Sequence, residues 1–497
     1  MRGRIGGFPE PNVNGSLLGL PGRKPRPDAA VPRCAVALTE SQNPDRPARP
    51  SLAGVISHIR AWLTDTSDRS VTQRVASAAF LIRVGSAALT YLSQIILARW
   101  LGRTEFGIYV YVWTWVTMIG DITDLGLASA AQRFVPEYTK LKAFDWLRGF
   151  LAGSRWLAFG SASAIAVTGL LLIQPLAPYL GDHVVVPLSI ACIILPFYGM
   201  MQIHDGIARS YDWVDVALLP PYILRHVVML TLILAAFLLD LSTTATTAVT
   251  AVAISYALTA IGQMLLLNRR LARTIEPGPR AYSAKTWYKV SLPILMVEGF
   301  YLLLTSTDIL VLQQFCEPGD VATYYAASKT LALIAFVHFA VSAAVAHRFS
   351  SYHVGDNRAE LERIVADSIR WTFWASLGAC ILVLAMGQPL LWLFGPQFTD
   401  GFYLMWILAI GLMARAAVGP VERLLSMLGE QRACAAVYAS AFALNLVLCV
   451  VLIPRIGVAG AAVSTATALT FESAMLFLVA RKRLGFHVFI WGRAGAR

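Results

Sequence analysis

The chain is predicted to be an all-α integral membrane protein of about twelve transmembrane helices, arranged as two six-helix lobes related by a pseudo-two-fold axis along the membrane normal. Three observations predict this. Of its 497 residues 57% are hydrophobic and 14% charged, with a mean hydropathy of +0.61, which is too apolar for soluble domains. The apolar residues fall in runs of about 20, the length a helix needs to cross ~30 Å of hydrocarbon, whereas a membrane β-barrel would alternate over segments of about 10. The chain also repeats itself. A shift of 215 residues places Tyr109 on Tyr324, Ala128 on Ala343, Ala131 on Ala346, Arg133-Phe134 on Arg348-Phe349 and Arg155-Trp156 on Arg370-Trp371. A shift of 214 lays QPLAPYLG (174–181) on QPLLWLFG (388–395). Matches held in nearly one register indicate a duplicated half.

Residues 1–74 are rich in Pro, Arg, Gly and Ser and lack the apolar core of a signal peptide, so a disordered, basic cytoplasmic tail is expected. Within it LAGVISHIRAWL (52–63) has the pattern of an amphipathic helix lying on the membrane surface. An N-lobe over 75–267 holds candidate spans at 75–101, 106–124, 150–173, 184–202, 222–239 and 243–267. A cytoplasmic linker over 268–286, with Pro277 and Pro279, joins it to a C-lobe over 287–485. That lobe holds spans at 290–315, 321–346, 364–386, 402–425, 434–453 and 458–480, and a C-terminal tail covers 486–497.

Loop charge supports the count. The breaks after even-numbered spans carry Arg133, Lys140, Lys142 and Arg148, then Arg209, then Arg269, Arg270, Arg273, Arg280 and Lys285, then Arg348, Arg358 and Arg363, then Arg432; the breaks after odd-numbered spans carry only Arg103 and Arg455. Lys and Arg concentrate in cytoplasmic loops, so both termini are expected there. Two parallel six-span repeats place a transport pathway between the lobes and imply rocking of one against the other.

The net charge of +12 is spread through these loops rather than gathered into a basic domain, which argues against nucleic acid as a partner. The six cysteines form no CxxC and no metal-ligand spacing with His. No GxxxxGK[ST] run and no paired-carboxylate or HExxH constellation occurs. The expectation is a protein that is not an enzyme, with no cofactor and no metal.

The phrase IILARWLGRTEFGIY (95–109), followed by Asp124-Leu125-Gly126-Leu127, resembles the N-terminal signature of the polysaccharide biosynthesis (Wzx-type) flippases of the MOP superfamily. Ser291-Leu292-Pro293, Asp308, Tyr324 and AASKTL (326–331) are similar to that family's seventh and eighth spans. The resemblance covers roughly residues 75–485. It implies a MOP/MATE-like fold in the bacterial inner membrane, moving an undecaprenyl-diphosphate-linked oligosaccharide between leaflets by alternating access. It further implies membrane lipids, a coupling H⁺ or Na⁺ and polysaccharide polymerase or chain-length machinery as partners. A lipid II flippase or a cation-coupled multidrug antiporter of the same superfamily is the alternative. A membrane polysaccharide polymerase or ligase is a third reading, disfavoured because the odd-numbered breaks are short.

A diphosphate and a sugar crossing hydrocarbon need a cavity with polar and cationic walls, so charges inside spans are the candidates, each costly unless it meets water or a partner. Arg83 in span one and Glu298 in span seven are equivalent under the 215 shift, and with spans one and seven facing each other across the lobe interface they are expected within reach of each other in at least one state. Arg83 suits a diphosphate contact, and Glu298 suits release or a coupling proton; snorkelling and a bundle partner are the plain alternatives. Lys329, Asp308, Asp121 and Arg415 complete the pathway candidates. For Asp124, beside Gly126, helix capping is the better reading. Arg155 and Arg370, each followed by Trp, read as interfacial anchors, Arg415, Glu422, Arg423 and Glu472 as intra-bundle pairs, and Arg225-His226 as a packed pair or a pH sensor.

Overall fold

The structure is a computed structural model that describes residues 68–335, 341, 358–485 and 488–491. The expected surface helix at 52–63, and the aligned residues Ala343, Ala346, Arg348 and Phe349, lie outside the described residues. Among the described residues all regular structure is helical. Ten helices among the described residues are long and apolar enough to cross a membrane. The first is a helical stretch, Phe80–Lys140, of 61 residues, about three times what one crossing needs; it takes in most of the first predicted span, all of the second and the helix that follows them. A shorter helix that begins at Pro318 opens the eighth.

Helix α1 (Asp68–Thr123) reverses at Gly102, whose φ of 76° and ψ of 174° are strained for any residue with a Cβ. Spans one and two are thus joined through a single residue. After a turn in which Leu125 and Gly126 both take positive φ, α2 (Leu127–Lys140) follows. The sequence reading treated this stretch as a polar break. It is a helix because Leu127, Ala130, Ala131, Phe134 and Val135 recur at helical spacing and are all buried, while Arg133 and Lys140 stay exposed.

The first lobe continues with α3 (Phe144–Leu180), α4 (Asp182–Ser210), α5 (Val214–Leu219), α6 (Arg225–Leu238) and α7 (Ala245–Thr274). Span five begins earlier than the predicted residue 222. Pro220 and Pro221 donate no N–H, yet the chain passes them in a π turn, Pro220–Leu224, and stays helical. The second lobe comprises α8 (Ala284–Phe315), α9 (Pro318–Leu331), α10 (Arg358–Ala385), α11 (Gly387–Phe394), α12 (Phe402–Val418), α13 (Val421–Met427), α14 (Gln431–Ile456) and α15 (Val458–Arg483). Span ten is not continuous: Gly419, with φ 67° and ψ −154°, ends α12, and α13 restarts after Pro420.

Within the first lobe α4 packs on α3, α7, α1 and α2; within the second, α14 packs on α8 and α15, and α12 on α15 and α10. Contact between lobes runs through α1 against α8, α9 and α11, and through α2 against α8. The seam therefore joins spans one and two to spans seven and eight, the pairs the duplication equates. The aligned Tyr109 and Tyr324 are both buried in the core that crosses it.

Candidate functional site

One end of the seam is closed. It is the end at which the odd-numbered spans finish. Arg103, just past Gly102, pairs with Asp320 at 3.0 Å and donates to the Gly319 carbonyl at 2.9 Å and to Thr323 Oγ1 at 3.1 Å. Arg99, just before Gly102, donates to the carbonyls of Leu393 and Trp392 at 2.8 and 2.6 Å in the last turn of α11, where the Trp392 oxygen also accepts from the Gly395 N–H at 3.0 Å. Beneath these, Phe106 is fully buried against Tyr325, Phe394 and Phe398. Tyr91 packs edge-on against Phe394 and shares a hydrogen bond of 3.0 Å with Thr330. Gly107 lets the backbones touch, since a Cβ there would overlap the Pro318 carbonyl.

The other end is hollow. A cavity of about 960 Å³ is lined by Asp121, Ser129 and Gln202 from the first lobe and by Glu298, Arg415 and Arg423 from the second. These residues lie toward the side on which the even-numbered spans finish and the odd-numbered ones begin, where the loops carry Lys and Arg. Asp121 accepts from Tyr198 Oη at 2.5 Å and from Gln202 Nε2 at 3.1 Å. Glu298 accepts from Ser129 Oγ across the seam at 3.2 Å, with Arg423 in electrostatic reach. Arg415 donates to Tyr301 Oη at 3.0 Å and lies 3.8 Å from Glu472. Three of the six pathway candidates, Asp121, Glu298 and Arg415, thus share one cavity.

The other three sit elsewhere. Arg83 stacks over the Tyr222 ring at 4.0 Å, beside the Arg209–Asp205 ion pair. Among the described residues no hydrogen bond or ion pair joins Arg83 to Glu298, so their symmetry equivalence does not make them neighbours in this state. Lys329 is exposed and its ammonium lies 5.1 Å from the Tyr325 ring. Asp308 is buried, accepting from Tyr324 Oη at 2.5 Å and Thr465 Oγ1 at 3.0 Å. Asp124 caps α2, accepting from the backbone N–H groups of Gly126 and Ala128 at 3.1 and 2.8 Å.

Of the remaining charges, Arg155 donates to Asn268 at 2.5 Å and Arg370 pairs with Asp367 at 3.8 Å, while the neighbouring Trp156 and Trp371 are equally exposed at 73%. His226 Nε2 meets Thr90 Oγ1 at 3.0 Å, and Arg225 lies over the rings of Trp113 and Tyr256. The sequence reading missed Arg99 and Arg103 as seam residues. The available signal was their placement on either side of a glycine between two spans without an intervening loop. It also missed Tyr198, Ser129 and Tyr301, for which nothing local gave a signal.

A polysaccharide biosynthesis protein family matches residues 74–353, and a MatE family matches 293–451. The chain is 22% identical over 393 residues to a probable low-salt glycan biosynthesis flippase, Agl15, of Haloferax volcanii, covering 78% of this chain and 79% of the relative. Two solved structures share the fold. An inward-facing multidrug resistance MATE family transporter of the MOP superfamily superposes with a TM-score of 0.70 at 15% identity, over 82% of this chain and 98% of that one. The lipid II flippase MurJ, in an inward closed conformation, superposes at 0.66 and 14% identity, over 81% and 87%. A match running through both sides of the seam, from the first span into the eighth, decides the assignment: the chain belongs to the polysaccharide biosynthesis protein family.

Proposed function

We propose that the protein is a flippase for lipid-linked oligosaccharide, moving undecaprenyl-diphosphate-linked repeat units across a bacterial inner membrane for exopolysaccharide, O-antigen or capsule synthesis. The observation that carries this reading is the seam itself, hollow and charged at one end and sealed by apolar packing at the other, in a chain of this family. A sugar diphosphate enters the hollow end while its polyprenyl tail stays in lipid, and rocking of the lobes reverses which end is open. The concentration of Lys and Arg on loops at the hollow end supports a cytoplasm-facing cavity with both termini on that side. Asp121, Glu298 and Arg415 line the path. Arg83 and Lys329 supply cations beside it, and Asp308, which accepts from the Tyr324 and Thr465 hydroxyls and the Ile309 N–H and forms no ion pair among the described residues, is a site for a coupling H⁺ or Na⁺.

The test is a proteoliposome assay with a polyprenyl-diphosphate oligosaccharide, scoring the sugar that becomes accessible to an external glycosidase. Transfer no faster than in protein-free vesicles would sink the reading. A second reading has its own support, because the cavity holds four carboxylates, Asp121, Asp124, Glu298 and Glu422, against two guanidiniums. That balance suits a cationic cargo, and ethidium efflux without glycan transfer would favour a multidrug antiporter.

A further inference from the structure

The charges on the cavity wall are held in different ways. Asp121 takes two side-chain donors and Asp124 two backbone donors, so each carboxylate is occupied. Arg415 is held loosely. One guanidinium nitrogen donates to Tyr301, while Glu472 of α15 stands 3.8 Å from Nε, within ion-pair range but beyond hydrogen-bond reach. Glu472 is fully buried and, among the described residues, neither of its oxygens receives a donor. This is a costly arrangement for a carboxylate at such depth, and well-packed apolar residues would serve stability as well or better. The other half of the chain has such residues: 215 and 214 positions before Arg415 stand Met200 and Met201, and before Glu472 stand Ala257 and Leu258. The charge pair belongs to one lobe only, so the architecture common to both lobes does not require it.

We propose that Arg415 grips the diphosphate of the cargo and that Glu472 is its resident counter-anion; this rests on the lipid-linked glycan reading above. Arg415 lines the cavity with its side chain 19% exposed, and a guanidinium presents a planar fork that matches paired phosphate oxygens. Glu472 neutralises that fork when the cavity is empty. Because it forms no hydrogen bond, it leaves donors free for the ligand. Once the diphosphate is bound, the carboxylate behind the fork repels it, which keeps the grip weak enough for release.

The experiment measures binding of undecaprenyl diphosphate, undecaprenol and inorganic pyrophosphate to the full chain in detergent. Arg415→Gln is expected to weaken undecaprenyl diphosphate binding by about tenfold, the loss of a charged hydrogen bond. Glu472→Gln is expected to tighten it several-fold, and the double variant to match Arg415→Gln. Arg415→Lys, which keeps the charge without the fork, should fall between wild type and Arg415→Gln. Competition by pyrophosphate would show that the headgroup alone is read; its failure to compete would assign the site to a lipid-borne diphosphate. A Glu472→Gln protein that melts like wild type yet binds no more tightly overturns the counter-anion role, and undiminished binding by Arg415→Gln overturns the grip. If the wild type does not prefer undecaprenyl diphosphate to undecaprenol, the cargo reading itself falls.

Discussion

The two ends of the seam are built from opposite materials. At the closed end aromatic rings, a glycine backbone contact and two arginines join spans one, two, eight and the short α11. At the hollow end span two faces helices α2, α4, α8 and α12 across the cavity, and carboxylates, guanidiniums and tyrosine hydroxyls stand on its wall among apolar side chains. The closed end is held by packing, which is lost steeply once the surfaces part, whereas the hollow end is held open by groups that prefer water or a ligand. A two-state transporter needs this contrast, because an end that closes by dry packing is either shut or open and rarely between.

The contrast is most severely tested at Phe106. Truncating a fully buried ring costs ~3–5 kcal/mol, and in Phe106→Ala the part of that cost specific to the closed end should expose a cysteine placed at Thr330 to thiol reagents; unchanged protection would mean that the ring does not seal the seam. A smaller effect is expected for Gly107→Leu, where overpacking against Pro318 costs ~1–3 kcal/mol and should speed hydrogen exchange in α9. Arg103 and Asp320 are each about a third exposed, so breaking their pair should shift the open-to-closed balance by no more than ~1 kcal/mol. Exchanging the two residues should restore the balance, and a swap that restores nothing would limit Arg103 to its backbone contacts. The least is expected of Ser129→Ala at the hollow end. Losing one exposed hydrogen bond to Glu298 should cost below ~1 kcal/mol, read as a melting shift of only a few degrees.

Span placement was legible because crossing hydrocarbon demands long apolar runs, and the register of the halves was legible because the duplicated dipeptides survive. The same rule misread α2, whose apolar residues recur at helical spacing but are too sparse to score as a span. It also carried span ten through Gly419 and Pro420, since hydropathy is blind to φ. Among site residues, a charge inside an apolar run is visible from sequence, which is why Asp121, Glu298 and Arg415 could be named. What holds each charge was not visible. Tyr198, Ser129 and Tyr301 lie on other helices, and partners brought together from distant positions leave no mark on either local sequence. Symmetry suggested a meeting of Arg83 with Glu298, but equivalence under a two-fold axis fixes where two residues sit in their own lobes and not that they touch.

Gly102 leaves spans one and two without slack. Arg99 grips α11 four residues before Arg103 grips α9, and the glycine between them supplies the only break in the helix. Neither arginine can swing away while the other stays seated unless that one residue turns. The two grips should therefore let go together, as a clasp does rather than a zipper, and a residue with a Cβ at this position, strained at a φ of 76°, would loosen both at once.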